Sequence, residues 1–252
     1  MRTERQAIEV FHLLFLRSFS SRVDKSLFAL KGGCNLRFYH RSIRYSEDMD
    51  LDIKTMATGT LRSNVEAVLQ AIPFRQSLRA QQLEVIEVTA PKQTQTVQRW
   101  KIALRSLDGQ TTIPTKIEFS RRALDAGCAL APVEPELIRR YRLYPVLVQR
   151  YDTATAFAQK LAALALRSET QARDVFDIKL LVDAGANVAA LNPQQRELLP
   201  RAIDNAISIG FDEFAGQVVA FLEPEHQADY RGRAAWEQLQ ESVVDTLRVA
   251  TP

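Results

Sequence analysis

Apolar residues recur three and four positions apart at Ala7, Val10, Phe11, Leu14 and Phe15, which predicts an amphipathic helix over roughly the first twenty residues, packed against the downstream chain. The run Ser26-Leu27-Phe28-Ala29-Leu30-Lys31 is short, apolar and stopped by Gly32-Gly33, the mark of a buried strand ending in a tight turn. A short helix from about Asn35 to His40 comes next. In the second half of the stretch from Ile43 to Ile53 the period drops to two. Met49, Leu51 and Ile53 then share one face of a strand, and Asp48, Asp50 and Asp52 the other. Asn64 to Ile72 is helical by pattern, and Leu83 to Val88 reads as a strand. Asp108-Gly109 lies between two alternating runs and predicts a hairpin, which puts Glu118 on the return strand. There Lys116, Glu118 and Ser120 share a face while Ile117 and Phe119 turn to the core.

Pro132, Pro135 and Pro145 interrupt the next region, and beyond it the pattern is nearly all helical. Phe157, Leu161, Leu164 and Ala165 line a helix ending near Arg167, and Phe176, Ile178, Leu180 and Leu181 belong to another after Arg173-Asp174. Further helices are predicted over roughly 194–222 and 232–249. These patterns divide the chain into a mixed α/β (α+β) core with its N-terminal helix, 1–145, and a helical C-terminal lobe, 146–252. Internal repeats and low-complexity tracts are absent.

Composition narrows the class without naming the chemistry. With 252 residues, 46% of them apolar, the chain has material for a substantial core. The 33 Lys plus Arg against 30 Asp plus Glu leave +3, which suits a protein meeting a polyanion on one face and equally an ordinary solvated surface. Cys34 and Cys128 stand far apart, with no CxxC and no disulfide framework. No export signal or membrane span is visible, so the expectation is a cytoplasmic protein.

The acidic strand is where chemistry concentrates. Two aspartates at i and i+2 project from one face, close enough to share a pair of divalent ions, and Glu118 on a neighbouring strand would supply a third carboxylate. Gly32-Gly33, between an apolar strand and a helix start, would let backbone N–H groups approach phosphate. Taken singly, a Gly-Gly turn is usually just a turn, an Asp-x-Asp a solvated edge, and a strand Glu a surface residue. Together and in this order they point to phosphoryl or nucleotidyl transfer, where positioning and charge neutralisation do most of the work.

The order Lys31-Gly32-Gly33-Cys34-Asn35-Leu36, then Arg44-Tyr45-Ser46-Glu47-Asp48-Met49-Asp50-Leu51, then Lys116-Ile117-Glu118-Phe119, resembles the DNA polymerase β-like nucleotidyltransferases. The R-x-S-x-D-x-D form of the acidic strand, with Ala158-Gln159-Lys160 running to Arg167 and then Arg173-Asp174-Val175-Phe176-Asp177, is similar more narrowly to the AbiEii/AbiGii toxin family of bacterial toxin–antitoxin and abortive-infection systems. The likeness spans roughly residues 27 to 182; the remainder matches in helical character only.

That resemblance implies a polymerase β-like mixed sheet with a helical lobe closing a nucleotide cleft. It also implies a two-metal, NTP-dependent nucleotidyltransferase using Mg²⁺ or Mn²⁺. Asp48, Asp50 and Glu118 would be catalytic and bind the metal; Lys160 would reach the triphosphate, with Asp174 catalytic and Asp177 beside it. Gly32, Gly33, Cys34, Asn35, Arg44 and Ser46 would contact nucleotide or support the strand. Two salt-bridged helices would give the same Lys160, Arg167, Asp174 and Asp177 spacing. Family members commonly carry Ser or Thr where this chain has Cys34, which removes a hydroxyl contact and leaves Asn35 as a cap or donor. Asp52 reads as a supporting or solvent-exposed residue. The expected partners are NTP, a tRNA 3′ end as acceptor and a cognate antitoxin, with Arg75, Arg79, Arg121, Arg122, Arg139, Arg140 and Arg142 available to RNA phosphates. The alternatives are transfer to protein or a small molecule, and a non-catalytic module binding nucleotide or antitoxin.

Overall fold

A computed structural model describes residues 2–249. The chain falls into two compact units, one built from Met1–Tyr39 and Tyr45–Tyr151, the other from His40–Arg44 and Asp152–Pro252. In the first, α1 (Glu4–Arg22) leads to β1 (Phe28–Lys31), α2 (Gly32–Tyr39) and β2 (Asp48–Ile53). Next come α3 (Thr58–Gln70), α4 (Ile72–Ala80), β3 (Leu83–Gln93), β4 (Val97–Ser106), β5 (Thr112–Arg121), β6 (Cys128–Pro132), α5 (Pro135–Arg140) and β7 (Leu147–Tyr151).

The strands form one seven-stranded mixed sheet in the order β3-β4-β5-β2-β1-β7-β6. β4 and β5 make the hairpin that Asp108-Gly109 predicts, and β2 lies parallel to β5 and antiparallel to β1. β7 pairs parallel with β1, so the sheet runs past residue 145. The inner face carries Phe28, Met49, Leu51, Trp100, Ile117 and Phe119, all closed to solvent, as the alternation requires. Phe19 of α1 packs edge-on to Phe28 at 5.0 Å and tilted against Phe119 at 5.3 Å.

α1 corrects its sequence reading. Instead of showing water a polar face, the helix is buried from Ala7 through Leu16, Glu9 and His12 included. Glu9 accepts from Arg37 Nε and the Tyr141 hydroxyl, each at 2.5 Å, and His12 bonds to Thr115, so both buried polar groups are satisfied. Thr3 caps the helix through a reciprocal capping box with Gln6.

The second unit is helical: α6 (Thr153–Leu166), α7 (Ala172–Asp183), α8 (Pro193–Arg196), α9 (Leu199–Ser208), α10 (Phe211–Gln217), α11 (Gln227–Tyr230) and α12 (Arg233–Val249). Trp236 stacks on Phe214 at 4.6 Å in its core. The segment His40–Arg44 joins this unit through a bridge between Arg44 and Leu222. Among the described residues no helix is long and apolar enough to cross a membrane.

Candidate functional site

The register of β4, β5, β2 and β1 lays side chains out in rows across the outer sheet face. One row runs Arg99, Glu118, Asp50, Lys31, and the next Lys101, Lys116, Asp48. The three carboxylates expected from sequence are thereby brought together, with Asp50 and Glu118 directly opposite on parallel strands. Asp50 is half-buried and makes no hydrogen bond or ion pair among the described residues. Burial pushes its carboxyl above the ordinary range, Lys31 partly offsets this, and the charges of Asp48 and Glu118 push it further up. Asp48 is ion-paired to Lys116 at 2.7 Å, and Glu118 to Arg99 at 2.5 Å.

Gly32 opens α2 against this row, where a tight approach and a left-handed backbone both demand glycine. Its φ is +65°, and a Cβ there would stand 3.1 Å from Asp50 Oδ2. The first-turn N–H groups of α2, without intrahelical partners, therefore start beside the carboxylates. Gly32→Ala is expected to cost about 1–2 kcal/mol through the backbone alone and to displace Asp50, so that thermal midpoint and activity fall together. Gly59→Ala, in α3 with open space around it, should leave both intact; equal effects at the two glycines would contradict this account.

Behind the acidic strand lies a buried polar chain that fixes where it starts. Ser46 Oγ donates to the Asp48 carbonyl at 2.8 Å, and the Cys34 thiol lies 3.3 Å from the same oxygen. Thr115 Oγ1 donates to the Glu47 carbonyl at 2.6 Å, so it accepts from His12 Nε2 at 2.9 Å, leaving Nδ1 as an acceptor 3.5 Å from Cys34 Sγ. Cys34 and Ser46, expected at nucleotide, are thus turned to the strand backbone, and burial raises the thiol pKa far enough to keep it protonated. Asn35 is buried too; it donates to the Tyr151 carbonyl at 3.1 Å, while its Oδ1 has no hydrogen-bond partner among the described residues.

Burial lowers His12 to about 3, against an ordinary value near 6.5. The unfolded chain therefore takes up this proton first on acidification, and stability is lost as pH falls from about 6.5 towards 3. Between pH 6.5 and 5 the loss should reach about 2 kcal/mol. Denaturant titrations at the two pH values should show it in the wild type and not in His12→Asn; equal slopes would sink the assignment.

Asp52 is not exposed, as the acidic alternation allowed, but fully buried. Lys31 donates to it at 2.6 Å, Arg122 at 2.8 Å and the Tyr151 hydroxyl at 2.8 Å, so it ties β1, β2 and β7 together beside the carboxylate row. Arg122 and Arg121, expected to be free for phosphate, are spent here and on Gln98 and the Met56 carbonyl.

In the helical unit, Lys160 lies 2.9 Å from Asp174 Oδ1 and 2.6 Å from Asp177 Oδ2, and Arg44 bonds Asp177 at 2.9 Å. Arg167 Nε stands 2.9 Å from Asp174 Oδ2 without hydrogen-bond alignment. Burial would raise Asp177, but Arg44 and Lys160 outweigh it and hold the carboxyl below its ordinary range. Both aspartates are closed to solvent; Arg44, Lys160, Asp174 and Asp177 form a buried network, and Arg167 reaches Asp174 from the exposed side.

The family profile described as nucleotidyl transferase AbiEii toxin, type IV toxin–antitoxin system, covers residues 14–249. The chain belongs to the AbiEii nucleotidyl transferase family. JHP933 from Helicobacter pylori is 18% identical over 97% of this chain and 94% of its own, with a TM-score of 0.56. A second H. pylori structure, of a candidate nucleotidyltransferase, is 17% identical over 100% of both chains, with a TM-score of 0.60. These likenesses establish the shared fold alone. A comparison with curated proteins returns no match.

Membership of the AbiEii family implies a nucleoside triphosphate and a divalent cation, and the sheet face tests the fit. Among the described residues no group of three or more His, Cys, Asp or Glu side chains is arranged to hold a metal ion. The donor chemistry nonetheless fits a hard cation: three carboxylates in adjoining register positions, one of them unpaired and raised by its like-charged neighbours. What stands in the way is two partly exposed ion pairs, Asp48–Lys116 and Glu118–Arg99. Sequence reasoning missed Arg99 altogether and missed Lys116 as a partner of Asp48; the β4–β5 register sets Arg99 opposite Glu118, and the β2–β5 register sets Lys116 opposite Asp48.

Proposed function

We propose that the chain transfers a nucleoside monophosphate from NTP to an acceptor hydroxyl, with Asp48, Asp50 and Glu118 holding Mg²⁺ or Mn²⁺ and the start of α2 at Gly32-Gly33 receiving phosphate. The observation that carries it is Asp50, an unpaired carboxylate with raised proton affinity, set between Gly32 and Glu118. Divalent cations there would neutralise the carboxylates and polarise the phosphate oxygens. The protein's own groups position: Ser46, Cys34 and Thr115 fix the entry of β2, and Gly32 admits the phosphate beside Asp50.

The tRNA 3′ end is the first acceptor to test, and a cognate antitoxin the expected partner, both on the strength of the family. Lys160, Asp174, Asp177 and Arg44 enter this reading as a network that stabilises the helical unit and sets the charge around Lys160. Incubation with each labelled NTP and Mg²⁺, alongside total tRNA or cell protein, should label tRNA. Label on protein would move the acceptor, and label on nothing would remove the transfer reading.

A further inference from the structure

We infer that a divalent cation held by Asp48 and Glu118 unmasks a cationic patch on the same sheet face, and that this patch, with the cavity beside it, seats the 3′-terminal stretch of a single-stranded RNA. The inference rests on the nucleotidyl-transfer reading and names how that site takes its acceptor.

The carboxylates and the patch share one set of ion pairs. Lys116 is tied to Asp48 and Arg99 to Glu118, with all four side chains partly open to solvent. Pairs this exposed are weak in water, and a divalent ion on the carboxylate displaces an ammonium or guanidinium at little cost. Once released, Arg99 and Lys116 flank Lys101, which is exposed and makes no ion pair among the described residues. Lys101 is adjacent to Lys116 across the β4–β5 register, and Arg99 lies two residues before Lys101 on the same face of β4. Three cations at strand spacing suit consecutive phosphates of one polynucleotide strand.

The cavity on that face has a volume of about 440 Å³ and reaches Asp48 at one end. It occupies two rows of the sheet, Thr89–Lys101–Lys116 and Glu87–Ala103–Pro114. Ala103 and Pro114 give it an apolar floor on which a base can lie, and Glu87 and Thr89 line it on the β3 side with hydrogen-bonding groups. The size suits one nucleoside, which calls for an unstacked end and not a duplex. Its position relative to Gly32 supports the acceptor role. Phosphate enters from the β1–α2 side of Asp50, the cavity lies beyond Asp48 and Lys116 on the β5 side, and in-line transfer needs leaving group and attacking hydroxyl on opposite sides.

The test is fluorescence anisotropy with the full chain and an unstructured, labelled ribo-oligonucleotide of about eight nucleotides, with no NTP present. Mg²⁺ should tighten binding roughly tenfold. The variant D48N/E118Q, whose Lys116 and Arg99 are free without metal, should bind roughly tenfold tighter than the metal-free wild type and ignore Mg²⁺, with a salt dependence steeper by about 0.7 per freed cation. Adding R99A and K116A should erase that gain, and Lys101→Glu should weaken binding in every background. If Mg²⁺ acts only by bridging carboxylate to phosphate, D48N/E118Q binds no tighter than the metal-free wild type, and the inference is overturned. Equal affinity for a duplex would overturn it as well. Label incorporation into RNA alongside such a failure would leave nucleotidyl transfer standing, whereas unmasked binding with no incorporation into any acceptor would remove the transfer reading.

Discussion

Asp50→Asn should reduce transfer of label from NTP by about three orders of magnitude, or about 4 kcal/mol of transition-state stabilisation, while leaving the thermal midpoint unchanged or raised. The sign on stability comes from the row it occupies. Asp50 has no ion-pair partner, stands opposite Glu118, and is pushed up by burial and by two carboxylates, so removing its charge relieves repulsion without leaving a cation unpaired. Asp52→Asn should behave in the opposite way. It is buried under Lys31, Arg122 and Tyr151, and its loss should show first in the midpoint. Assaying both variants for midpoint and turnover separates a residue at the chemistry from one that holds the strands. Asp50→Asn activity within tenfold of wild type would place the chemistry elsewhere.

Asp177→Ala should cost about 3–5 kcal/mol, because it takes a buried carboxylate from both Arg44 and Lys160. For a chain of this size that is a fall of roughly 10 °C in the unfolding midpoint. Replacing the Arg44–Asp177 pair together, by Met and Leu, should recover part of the loss, since a buried pair often does little better than apolar packing of the same volume. Calorimetry of the two variants checks this, and an Asp177→Ala midpoint within 2–3 °C of wild type, under about 1 kcal/mol, would show that the network carries little of the helical unit's stability.

What the chain disclosed by itself was local. The period of two from Asp48 to Ile53, the Asp108-Gly109 turn and the strand end before Gly32-Gly33 each act within a few residues and are found where the pattern put them, though the two glycines open α2 directly in place of a separate turn. Residues whose surroundings come from distant strands read less well. Glu9 and His12 lie outside the apolar stripe that the spacing of α1 shows, yet both are buried, because Arg37, Tyr141 and Thr115, far away in sequence, satisfy them. Asp52 shared an acidic face with Asp48 and Asp50, yet Tyr151 and Arg122 close over it. Lys160 was expected from the family resemblance to reach for phosphate, with a salt-bridged helix pair as the other reading of its spacing, and two buried aspartates hold it. Cys34, in a position where a hydroxyl was expected to meet nucleotide, instead points at the carbonyl of the residue that begins β2.

The measurement that bears most directly on nucleotidyl transfer at the Asp48, Asp50 and Glu118 row is a paired labelling reaction. The chain is incubated with Mg²⁺ and tRNA and with the same NTP labelled at either the α- or the γ-phosphate. The account predicts label on the acceptor from the α-position alone, released pyrophosphate carrying the γ-label, and neither product from Asp50→Asn. Transfer of the γ-label to the acceptor, or α-label transfer undiminished in Asp50→Asn, would contradict it.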